Sequence, residues 1–120
     1  MEFKHTNLPI ENEYPKLVRD KIPQIIKDKE GVDAIVRRID GDGEFLKYLV
    51  QKIIEEASEL QNANGAENVK EELADILELI DNILIVNKIT VEDVARIQEE
   101  KHHKNGGFEQ RILMLGKNSR

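Results

Sequence analysis

Five acidic residues carry whatever chemistry this sequence performs: Glu55, Glu56 and Glu59 in the run EEASE, and Glu72 and Asp75 in the run ELAD. Glu56 with Glu59, and Glu72 with Asp75, each stand three residues apart, which puts a pair on one side of an α-helix. At about 100° per residue, Glu56 lies roughly 80° from the centre of its helix's apolar stripe, and Glu59 lies farther round on the same side. Glu72 occupies the corresponding edge of the next helix, with Asp75 beyond it, while Glu55 points more nearly away from the stripe. Packing the two helices together can therefore bring four carboxylates into one cluster. Like charges at such range raise one another's pKa and resist joint ionisation. A divalent cation removes the conflict, and oxygen-only ligands suit magnesium or manganese, which keep further positions for water and substrate phosphates. Zinc is disfavoured, because the chain has no cysteine and its histidines lie elsewhere. One such pair alone is more often a solvated helix face, since helix surfaces favour Glu. The second pair, at the matching edge and without interleaved lysines, tips the balance toward a metal.

The elements that must position these side chains are two long helices. After Gly41-Asp42-Gly43, Leu46, Leu49, Val50, Ile53, Ala57 and Leu60 recur at three- and four-residue steps, predicting a helix that ends near Asn64-Gly65. A second helix is expected over residues 67–86, with Val69, Leu73, Ile76, Leu77, Ile80, Ile83 and Leu84 on its stripe. The short connection makes the two an antiparallel hairpin. A shorter helix is expected on each side. Residues 20–29 form the first, with Pro23 in the opening turn, Asp20 placed to cap it or to hold Arg19, and Gly31 as its stop. Thr90 and Asp93 have the spacing of a capping box and open the last, which reaches about Lys104 before Asn105-Gly106-Gly107 breaks it. Residues 32–39 are rich in β-branched side chains, and residues 108–115 mix apolar and polar ones; these two segments are expected as a small β-pair.

The chain's 120 residues suit a single domain spanning 1–120. Its net charge of −6 opposes the basic footprint of a protein that wraps a nucleic-acid polymer. No apolar run approaches the ~20 residues that span a bilayer. Residues 1–10 are polar and lack an apolar signal core, so a cytoplasmic protein is expected. Two long helices cannot bury both apolar faces alone. A mainly α protomer, completed as a four-helix-type bundle in a homodimer or homotetramer, is therefore expected.

The segments KIIEEASEL and EELADIL resemble the EExxE and ExxD pattern of the MazG-like, all-α nucleoside triphosphate pyrophosphohydrolases. KLVRDKIPQII near the start and EEKHHKNGGFEQRILML near the end are similar to a single-domain, phosphoribosyl-ATP pyrophosphohydrolase-like branch of that superfamily. Together these segments make up 44 of the 120 residues and are spread from Lys16 to Leu115. The resemblance implies an oligomeric α-helical enzyme that hydrolyses the α–β phosphoanhydride of a nucleotide, releasing a monophosphate and pyrophosphate. By motif match, Glu56, Glu59, Glu72 and Asp75 would hold Mg2+, with Mn2+ as an alternative. Glu55 would bind a further metal or orient the attacking water, and Glu55 and Glu56 are the catalytic candidates. Such metals neutralise the triphosphate and lower the pKa of bound water, leaving a carboxylate to take its proton.

A triphosphate also needs cationic donors away from the metal. Lys16, Arg19 and Lys21 lie before or at the start of the first short helix, and Lys101, Lys104 and Asn105 close the last. A solvated side chain, or a charge favourable near a helix C-terminus, explains each lysine equally well. Arg19 is the best single candidate, because its planar fork grips a phosphate or locks onto a carboxylate. His102 and His103 point about 100° apart and suit the surface. Phe108 is more readily an anchor for the tail than a stacking partner for a base. The leading expectation is a nucleotide-pool house-cleaning enzyme acting on a canonical or damaged (d)NTP. Phosphoribosyl-ATP hydrolysis in histidine synthesis is the nearest rival, and LVRDKIP leans toward the former. A non-catalytic helical interaction module is the alternative from another class.

Overall fold

The computed structural model describes residues 14–118, so residues 1–10, on which the localisation expectation rests, lie outside the described residues. The described chain is mainly helical: α1 (Ile22–Glu30), α2 (Asp42–Gln61), α3 (Gly65–Asn87) and α4 (Val91–Asn105). None of these helices is long and apolar enough to cross a membrane. The described residues divide into two compact units, one ending at Asn87 and the other beginning at Lys88.

In the first unit, α1 carries Pro23 in its first turn, where the missing N–H costs no helical bond. Its N-cap is Lys21, and no side chain caps it, so the expected Asp20 cap does not form. Gly31 ends the helix in the left-handed conformation at φ 70°, and its N–H returns to the Lys27 carbonyl. Residues 32–41 follow without regular structure. A bidentate pair tethers this loop to the hairpin: Arg37 Nη1 and Nη2 donate to Glu44 Oε1 and Oε2 at 3.0 and 2.7 Å.

Residues 62–64 connect α2 to α3, and these two helices form the antiparallel hairpin that carries the core. That core is small. Leu49, Leu79 and Leu84 are its buried apolar side chains, with Leu46, Ile53, Leu60, Val69, Ile76, Ile83 and Val86 half-buried. Other members of the predicted stripes, Val50, Ala57, Leu73, Leu77 and Ile80, stand exposed. The helices thus meet along faces turned roughly a quarter-turn from the centres of their apolar stripes, toward the acidic edge. Glu55, expected to point away, is instead buried.

In the second unit, α4 begins with the predicted capping box. Asp93 N–H donates to Thr90 Oγ1 at 3.1 Å, and Thr90 N–H donates to Asp93 Oδ2 at 3.3 Å. It ends at Gly106, whose φ of 83° suits a residue without Cβ. His102, His103 and Phe108 are exposed, so Phe108 does not anchor the tail. No strand forms among the described residues. The segments expected to pair fall in different units, and an isolated two-stranded ribbon is marginal in water.

Candidate metal centre

The rotated hairpin interface is what gathers the carboxylates. Lys52, Glu56 and Glu59 follow one another at four- and three-residue steps along α2, and Glu72 and Asp75 face them from α3. Glu56, Glu72 and Asp75 each offer an oxygen within 4.8 Å of the others, and Glu55, Glu56 and Glu59 form a second group at the same spacing. Glu56 belongs to both. The structure therefore brings together all five acidic residues singled out from the sequence.

Burial makes this grouping more than a charged surface. Glu55 is 4% and Glu56 6% exposed, values that ionised carboxylates rarely show without partners. Glu56 Oε2 and Glu72 Oε2 are buried with no hydrogen-bond donor. Two carboxylates have no proton to offer each other, so these oxygens need either a shared proton or a cation between them. Burial is the main reason the Glu56 carboxyl is pushed up to about 8; a proton shared toward Glu72 and the negative charges of Glu59 and Asp75 add to it. A group held near this value gives up its proton readily to an arriving cation at neutral pH. The donor set is wholly oxygen and anionic, which fits a hard divalent ion of the magnesium or manganese kind.

Two cationic side chains flank the cluster. Arg19 Nη2 donates to Asp75 Oδ1 at 2.7 Å, and Nη1 lies 3.7 Å from Glu78 Oε1, so of its two possible roles it performs carboxylate locking. At the other end Lys52 Nζ donates to Glu55 Oε1 at 3.0 Å and stands 3.9 Å from Glu56 Oε1. Lys52 did not emerge from the sequence reading. Its position three residues before Glu55 and four before Glu56 was the available signal. Among the other candidate cations, Lys16 sits half-buried with its ammonium 5.6 Å from the Tyr14 ring, and Lys21 is exposed at the α1 N-cap. Lys101, Lys104 and Asn105 are exposed in the last turns of α4, within the second unit.

Comparison of the chain with protein-family models, with curated proteins and with solved structures gave no match.

Proposed function

We propose that this protein is a divalent-cation-dependent nucleotide pyrophosphohydrolase, cleaving a (d)NTP to its monophosphate and pyrophosphate in nucleotide-pool house-cleaning. The observation that carries the reading is the pair of buried, donorless oxygens, Glu56 Oε2 and Glu72 Oε2, inside a five-carboxylate cluster. A non-catalytic helical module gains nothing from burying carboxylate oxygens without a donor, each of which costs about 1–3 kcal/mol. Resemblance of the EExxE and ExxD segments to the MazG-like enzymes supports the choice of reaction.

In this reading Glu56, Glu59, Glu72 and Asp75 hold Mg2+, which supplies charge neutralisation of the phosphates and acidification of water. The chain's own residues do the rest. Arg19 fixes the direction of Asp75, and the hairpin faces keep Glu56 and Glu72 rigid and dry. Glu55 or Glu56 accepts the proton of the water that attacks the α-phosphorus, as the bond to the bridging oxygen breaks and pyrophosphate leaves. Lys16 and Lys21 on the entry segment are proposed to meet the phosphates.

The apolar side chains left in water support a homo-oligomer, in which Val50, Ile54, Leu73, Leu77 and Ile80 are covered by a second copy. A protomer with so few buried apolar side chains gains little stability by itself.

Measuring pyrophosphate release from a panel of (d)NTPs and phosphoribosyl-ATP, with and without Mg2+, tests the activity. Magnesium-dependent release from a (d)NTP, lost in Glu56→Gln and Glu72→Gln, is expected. Turnover confined to phosphoribosyl-ATP would reassign the substrate, and no release from any nucleotide would favour the interaction module.

A further inference from the structure

The two carboxylate groups share Glu56 but differ in one respect. The group formed by Glu55, Glu56 and Glu59 already has a cation against it. The Lys52 ammonium, on a side chain only 20% exposed, lies 3.0 Å from Glu55 Oε1 and 3.9 Å from Glu56 Oε1. The other group, Glu56, Glu72 and Asp75, contains both donorless oxygens, and its attached cation, Arg19, stands at the outer edge on Asp75 and Glu78. We propose that Lys52 is a built-in occupant of the Glu55–Glu56–Glu59 subsite, which restricts the resting protein to one divalent ion, centred on Glu56, Glu72 and Asp75; Glu59 completes the metal-holding set when the second subsite opens. This inference rests on the metal-dependent reading above.

Formal charge acts in the same direction: removing the Lys52 ammonium makes its carboxylate group one unit more negative, which favours a second dication there. In a half-buried cluster such charge differences are screened weakly. The Lys52 stem is fixed on α2 at the same turn as the carboxylates it neutralises, so its ammonium reaches this subsite with no change of backbone. A negatively charged substrate is the agent that would draw the ammonium away and open the second subsite.

The test is the number of Mn2+ ions bound per protomer, read from the loss of the free-ion electron paramagnetic resonance signal on titration into the metal-free full chain without nucleotide. One ion is expected for the unaltered protein and two for Lys52→Met. Lys52→Arg, which keeps a cation, is expected to bind one. A lysine that merely stabilises the fold would lower the melting temperature when replaced but leave the count unchanged. Should Lys52→Met not fold, Lys52→Gln also removes the charge while its amide still donates to Glu55, and two ions are expected there too. One ion in the charge-removed variant, or two in the unaltered protein, overturns the role of Lys52 while leaving the metal reading intact. No bound ion in any form overturns both.

Discussion

Arg19 reaches Asp75 across 56 positions of sequence, and its Nη2 donates to Oδ1 at 2.7 Å. The bond ties the segment before α1 to the α3 side of the carboxylate cluster. Arg19 Nη1 lies 3.7 Å from Glu78, so one guanidinium spans one turn of α3. The pair is partly exposed, at 56% and 37% of the two side chains, and exposed ion pairs contribute about 0.2–1 kcal/mol. In the metal-dependent reading proposed above, orientation of the Asp75 carboxylate is worth more than that. Arg19→Ala should lower stability by less than about 1 kcal/mol in a denaturant titration. The same variant should weaken Mn2+ binding on the order of 10-fold, as loss of a group that orients a ligand typically does. Equal, small effects on both would assign Arg19 to the fold alone.

The metal-free protein should lose stability as pH rises. Glu56 is held at about 8 when folded, against 4.5 ordinarily, so the folded chain keeps a proton that the unfolded chain has shed. Its contribution is fully present below pH 4.5 and is lost progressively as pH rises to about 8, levelling off beyond. Melting temperature measured in chelator from pH 5 to 8.5 should fall for the unaltered protein and fall less steeply for Glu56→Gln. Magnesium should restore the loss at pH 8, since the bound ion replaces the proton. A flat profile in chelator would mean the cluster is more hydrated than its burial indicates.

Replacing Glu72 by Gln separates folding from binding. The amide supplies a donor beside Glu56 that needs no shared proton, so the metal-free variant should melt at a temperature at least equal to that of the unaltered chain. Its magnesium-induced rise in melting temperature should disappear. A variant that melts lower yet retains the magnesium response would remove Glu72 from the ligand set.

The exposed apolar face should reveal itself in solution. Leu77 is 60% exposed on α3, and Leu73 and Ile80 flank it at helical spacing. Sedimentation at micromolar concentration should show a dimer or tetramer, and Leu77→Asp should shift it toward monomer. A stable, active monomer would contradict the oligomer.

The α4 capping box should matter locally. Thr90→Ala is expected to cost about 1 kcal/mol, seen as faster amide exchange in the first turn of α4, with the hairpin amides unchanged. The Thr90 backbone and side-chain bonds hold the Asp93 carboxyl below its ordinary range, so the Asp93 contribution is present above pH 3.8 and is lost as pH falls below it.

What the sequence determined by itself was everything set by local rules. Helical periodicity placed α2 and α3, Gly31 and Gly106 stopped their helices, and Thr90 with Asp93 announced α4, because each depends only on residues within a turn or two. The acidic residues were equally legible, since type and spacing are enough to put them on neighbouring helices. Which faces the helices turn toward each other was not legible. Apolar periodicity reports the sum of all surfaces a helix buries, whether inside the protomer or against another copy, and the hairpin meets on only part of it. The tertiary structure decided that Leu73 and Leu77 face water while Glu55 and Glu56 are enclosed, and that Arg19 and Lys52 clamp opposite ends of the cluster. Residues 32–39 mark the same boundary: β-branched side chains favour extension, but a strand exists only where another supplies its hydrogen bonds.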